Sequence, residues 1–220
     1  MKNKVVLFDI DYTLFDVSYF DKFFYKKLEK ILKLDEALIR KESIKIITEI
    51  ITKEHFLDID KYVVTLLSLL DKNKYKDKVE DLLFNQSFFK KGFYKDVKKT
   101  LEGVGKIAKI GIFSQGDYKF QWSKIEQSDF KHHIDLNLRY IIKPRKLSFL
   151  PDLKNIHKDD KLYLIDDKPT IIHEIKKFMP EVVTIWLRRG YYAENEKIED
   201  FKPDFSISSL HEAIEIVRKN

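Results

Sequence analysis

The run Val5-Val6-Leu7-Phe8 followed by Asp9-Ile10-Asp11-Tyr12-Thr13-Leu14 constrains this chain more than any other stretch. Consecutive apolar residues with β-branched members predict a strand buried on both faces, as strands of parallel sheets are. That strand ends in two carboxylates separated by one residue. Were the backbone to stay extended through Asp11, both side chains would leave on the same side. Like charges that close raise each other's pKa or demand a cation. A helix cap beside a solvated turn would also accommodate the pair, so the rest of the chain must discriminate.

After Leu14 the apolar period changes from strand to helix. Phe20, Phe23, Phe24, Leu28, Ile31 and Leu32 recur at helical spacing over residues 17–34, and further helices are expected over 35–54, 59–70 and 76–89. From residue 16 until Gly92 there is neither Gly nor Pro, which predicts an all-helical subdomain whose aromatics form its own core. Beyond Gly92 the pattern alternates as an α/β sheet does. Helices are expected over 94–104, 117–128, 146–156, 170–179 and 210–218, with strands over 109–113, 138–142, 161–165 and 182–187. The opening strand must therefore pair with strands far along the chain. This divides the sequence into a Rossmann-like parallel-sheet core of residues 1–15 and 93–220 and an inserted helical cap of residues 16–92.

A length of 220 residues with 44% hydrophobic content suffices for a substantial core. The chain contains no cysteine, which excludes disulfides and thiolate metal sites and accords with a cytoplasmic setting. No signal peptide and no apolar run near the roughly 20 residues of a membrane span is expected. The net charge of +6 comes from lysines scattered over amphipathic helices, so a membrane or nucleic-acid partner is not expected.

Functional groups in open α/β sheets collect at the carboxyl ends of strands. Here those ends carry Asp9 and Asp11; then Ser114-Gln115-Gly116-Asp117, a hydroxyl and a glycine at a helix start suited to phosphate; then Lys143-Pro144; then Asp166-Asp167-Lys168-Pro169. Convergent oxygen ligands suit Mg²⁺, and a lysine with a hydroxyl suits the phosphate that accompanies it. His132-His133 lacks companions at metal-ligand spacing and reads as structural. Arg188 and Arg189 follow the last long strand, where they would form a surface pair or reach toward substrate.

In these features the chain resembles the haloacid dehalogenase (HAD) superfamily over essentially its whole length. Asp9, Asp11 and Thr13 match its DxDxT signature, Ser114 its second motif, Lys143 its third and Asp166-Asp167 the paired-acid form of its fourth. The helical insertion after the first motif looks like that family's C1 cap. The resemblance implies a phosphomonoester hydrolase with an aspartyl-phosphate intermediate, acting on a small soluble phosphorylated metabolite. Asp9 would be the nucleophile and Asp11 the acid/base; Thr13 would support their loop. Ser114, Gln115 and Lys143 would hold the phosphoryl group. Mg²⁺ would be bound by Asp9, Asp11 through its backbone carbonyl, Asp166 and Asp167. Lys143 is chosen as the phosphate lysine because it directly ends an apolar strand, although Lys146 lies one short turn away and Lys168 follows the second acid pair. The alternatives are a non-catalytic phosphate- or protein-binding module, or a haloacid dehalogenase-like hydrolase, which would lack the second acid of the first motif. The substrate and the oligomeric state are not legible in the sequence.

Overall fold

The computed structural model describes residues 2–220. Six parallel strands form one sheet: β1 (Lys4–Phe8), β2 (Lys109–Gln115), β3 (Ile134–Ile142), β4 (Lys161–Asp166), β5 (Val183–Leu187) and β6 (Phe205–Ile207). Their order is β3-β2-β1-β4-β5-β6, so the first strand lies at the centre. It pairs with β2 on one edge and β4 on the other, and the strand order reverses between β1 and β4. That reversal is where open α/β sheets leave a crevice for ligands.

Between β1 and β2 lie α1 (Val17–Leu32), α2 (Glu36–Glu54), α3 (Ile59–Leu69), α4 (Lys76–Leu83), α5 (Gln86–Gly92) and α6 (Val97–Val104). The first three begin on aspartates whose side chains accept a backbone N–H three residues on: Asp16 from Tyr19 at 3.1 Å, Asp35 from Leu38 at 3.1 Å and Asp58 from Lys61 at 2.9 Å. The region expected as one helix over 76–89 is split in two, because Asn85 caps a new helix at Ser87. The remaining crossovers carry α7 (Tyr118–Glu126), α8 (Leu150–Ile156), α9 (Pro169–Phe178), α10 (Gly190–Asn195) and the closing α11 (Glu212–Lys219). Three details depart from the sequence reading. The third strand begins at Ile134, a 3₁₀ turn occupies Lys146–Phe149 ahead of α8, and the short β6 and α10 are additional.

Alternation along β1 sets both faces of the core. Val5 and Leu7 pack with Leu150, Leu153, Ile171 and Ile175 of α8 and α9. Val6 and Phe8 belong to a larger cluster that takes in α6 and α11 and runs on into the inserted helices. Aromatic side chains join insert to sheet layer. Phe15 lies 6.1 Å from Phe89, and Phe120 on α7 makes edge contacts at 5.9 Å with Phe20, Phe84 and Phe89. The aromatics of the insert thus share one core with the sheet rather than closing on themselves. Among the described residues, no helix is long and apolar enough to cross a membrane.

Candidate active site

The first strand stops at Phe8, so Asp9 and Asp11 do not leave a common ladder as expected. Asp9 donates its backbone N–H to Ile165 at 3.0 Å; the chain then turns, with Leu14 and Phe15 both donating to the Ile10 carbonyl. Tyr12 takes a left-handed conformation (φ 58), unusual for a bulky residue. The turn separates the two acids. Asp9 is buried toward the sheet, while Asp11 is partly exposed and faces α7.

Asp9 meets Lys146, not Lys143. The Lys146 ammonium is almost wholly buried and donates to Asp9 Oδ1 at 2.8 Å, to the Phe113 carbonyl at 3.3 Å and to Asp166 Oδ2. Lys143 instead pairs with Asp117 at 2.7 Å, lies over the Phe56 ring and keeps a side chain 40% exposed. The physical reason is the 3₁₀ turn that Lys146 opens: it carries the chain back over the strand ends, whereas Lys143 sits where β3 leaves the sheet. Burial pulls the Lys146 pKa down, but the charges of Asp166 and Asp9 overcome this and hold it above the ordinary lysine value.

Asp9, Asp166 and Asp167 form a buried cluster in which one ligand oxygen from each lies within 4.8 Å of the others. Asp166 accepts from Lys146 through Oδ2 and from the Lys168 backbone N–H through Oδ1 at 2.8 Å. Asp167 is fully buried, and neither of its carboxylate oxygens has a hydrogen-bond partner. Burial, with the Asp166 charge, pushes it up to about 9, and burial likewise raises Asp9 to about 6 against the pull of Lys146. An orphaned carboxylate beside two others fits an oxygen-seeking divalent cation. The Asp11 carboxylate is not in this cluster. It is held by Lys124 at 2.6 Å on Oδ1 and by Gln121 at 2.7 Å on Oδ2.

Ser114, at the end of β2, is buried and lines a cavity of about 250 Å³ with Asp9, Asp11 and Lys146. Gln115 lines the same cavity, but its side-chain amide is already committed and does not await a phosphoryl group as expected. Its amide is engaged at both ends, donating to the His55 carbonyl at 2.6 Å and accepting the Lys146 N–H at 3.1 Å. It ties the insert to the loop that carries Lys146. Thr13 is buried, with a carbonyl that accepts from Arg189 at 3.2 Å. Arg189 also pairs with Asp96, so it braces the loop rather than reaching the acids. His132 and His133 lie against each other with their rings tilted by 43°, and neither belongs to the acid cluster. Sequence reasoning missed Lys124 and Gln121 altogether. The available signal was a buried-face lysine one helical turn beyond Gln121 on α7, which nothing in the sequence connects to Asp11.

This sheet order, with acids at the reversal and a helical insertion after the first strand, is the HAD-type α/β fold, and the comparisons with solved structures agree. A protein from Burkholderia xenovorans LB400, described as a haloacid dehalogenase-like hydrolase, matches with TM-score 0.82 at 20% identity, over 100% of this chain and 98% of that one. The HAD-hydrolase YfnB from Bacillus subtilis, in a magnesium-bound form, matches with TM-score 0.68 at 15% identity over 99% of each chain. An L-2-haloacid dehalogenase from Xanthobacter autotrophicus, with chloropropionic acid covalently bound, matches with TM-score 0.64 at 13% identity over 98% of each. In sequence, no family model and no curated protein matches.

Proposed function

We propose that the protein is a Mg²⁺-dependent phosphomonoester hydrolase acting on a small phosphorylated metabolite in the cytoplasm, with helices α1–α5 as its cap. The observation that carries this reading is Asp167, a buried carboxylate without a partner beside Asp9 and Asp166. Asp9, Asp166 and Asp167 would hold the ion, whose charge would offset repulsion between an anionic nucleophile and an anionic phosphate.

The chain's own residues supply the rest. Lys146 fixes Asp9 through Oδ1 and leaves Oδ2 without a hydrogen bond to the protein, so Oδ2 is the attacking atom. As it bonds to phosphorus, the ester P–O bond breaks and the leaving oxygen takes a proton from Asp11. Water then attacks the aspartyl-phosphate, giving its proton to Asp11 and releasing Asp9 and inorganic phosphate. Lys124 and Gln121 orient Asp11 between these steps. Ser114 faces the same cavity and would hold a phosphoryl oxygen.

Dehalogenation is the second reading, favoured by dehalogenases among the solved structures of the same fold. It needs neither the second acid nor a cation, and so leaves Asp11 and Asp167 without a task. Hydrolysis of an aryl phosphate with and without Mg²⁺, run beside halide release from L-2-chloropropionate, separates the two. Metal-dependent phosphate release that disappears in Asp9→Asn is the expected outcome. Halide release without metal, or no turnover of a broad phosphate panel, defeats the proposal.

A further inference from the structure

We infer that Lys168, held by the face of Tyr192, supplies the ammonium that binds an anionic oxygen of the substrate, while Lys146 serves to position the nucleophile. This rests on the phosphatase reading for the identity of the anion and replaces Lys143, the lysine expected from the sequence, as the one that meets it. An ammonium has three N–H bonds. Those of Lys146 are directed to Asp9, Asp166 and the Phe113 carbonyl, which leaves none for a ligand.

Two cavities, about 250 and 190 Å³, adjoin at the strand ends, and Lys168, Asp11, Gln115 and Tyr192 line both. Among the described residues lining them, Lys146 and Lys168 are the lysines. The Lys168 ammonium makes no ion pair or hydrogen bond with a described residue. It rests 3.8 Å from the centroid of the Tyr192 ring. A cation–π contact of this kind orients an ammonium while leaving its N–H bonds directed elsewhere.

The platform is built from elements the sequence reading did not contain. Gly190 opens α10 in the left-handed region (φ 74), and a Cβ there would lie 2.6 Å from the Tyr12 side chain. Only glycine lets the helix approach so closely. Tyr192 consequently sits edge-on to Tyr12, with ring centroids 5.9 Å apart, and turns its face to Lys168. Beside the carboxylates of Asp9 and Asp11, the same cavity is lined by apolar Val17, Ile51 and Leu57. A ligand in this space meets the Lys168 ammonium together with hydrocarbon from the lining, which suits a small organic anion whose charge is directed to Lys168.

Calorimetric titration with inorganic phosphate in the presence of Mg²⁺ tests the site without requiring turnover. Loss of one charge-assisted hydrogen bond in Lys168→Met should weaken binding about tenfold to a hundredfold. Lys168→Arg should restore part of it. Tyr192→Leu should weaken binding by a smaller factor and Tyr192→Phe should not, and thermal melts confirm that each variant is folded. Aryl phosphates with and without a ring carboxylate form a second arm, in which a KM increase confined to the carboxylated compound would place a second anionic group at Lys168. Unchanged phosphate affinity together with an unchanged KM ratio overturns the inference, as does a wild type that binds no phosphate. Lost phosphate affinity in a protein that hydrolyses nothing would instead sink the assigned reaction and leave the anion site standing.

Discussion

Replacing Asp167 with Asn isolates the electrostatic cost of the acid cluster. Burial and the Asp166 charge push Asp167 up to about 9, from an ordinary value of 3.8. The folded protein therefore holds this proton more tightly than the unfolded chain does. The corresponding stability is fully present below the unfolded pKa and is lost as pH rises toward about 9. One proton gives a slope of about 1.36 kcal/mol per pH unit, so on the order of 3 kcal/mol should vanish between roughly pH 6.5 and 8.5. Asp9, raised to about 6, has completed its own contribution below that window. Asn cannot titrate, and whatever its buried amide costs is the same at every pH. Urea denaturation in a chelating buffer across this range should show wild-type stability falling by on the order of 3 kcal/mol relative to Asp167→Asn. Parallel pH dependences would show that Asp167 ionises freely in the folded state, and the orphaned-carboxylate reasoning would fail.

Two further outcomes follow from the ion pairs. Lys146→Met leaves Asp9 and Asp166 buried without their cation and should cost about 3–5 kcal/mol, whereas Lys143→Met removes a half-exposed pair and should cost under about 1 kcal/mol, both read by urea denaturation. Lys124→Met frees Asp11 from the cation that orients it; kcat on an aryl phosphate should fall about tenfold or more with KM little changed, and a KM effect alone would contradict the positioning role.

The fold was legible because its signals are local. The apolar β1, the glycine- and proline-free helical run and the alternation after Gly92 each follow from side-chain period, and the sheet realises them. The acids were legible for the same reason, since Asp9 and Asp166-Asp167 directly end or follow strands. The lysines were not. Adjacency to a strand favoured Lys143, but which lysine turns inward is decided by a 3₁₀ turn whose direction depends on Gln115 gripping the Lys146 backbone from another strand. Lys124 reaches Asp11 across 113 positions of chain, a relation that exists only after β1 and α7 are packed. Tyr192 was invisible because α10 is too short to show a period and owes its place to a glycine against Tyr12.

The arrangement of charges implies what the site takes up. Four carboxylates, Asp9, Asp11, Asp166 and Asp167, stand at one end of the sheet, and buried lysines from separate crossovers answer all but one of them. Lys124 answers Asp11, and Lys146 answers both Asp9 and Asp166. The excess negative charge falls on Asp167, where a proton or a metal ion can neutralise it, and the two exclude each other. Binding of Mg²⁺ near pH 7.5 should therefore release about one proton, and affinity should rise about tenfold per pH unit until Asp167 ionises unaided. Titration calorimetry in buffers of different ionisation enthalpy measures that proton directly. In Asp167→Asn the proton release should vanish with most of the affinity. Binding of equal strength without proton release in the wild type would place the ion on carboxylates that are already ionised, and would remove Asp167 from the metal site.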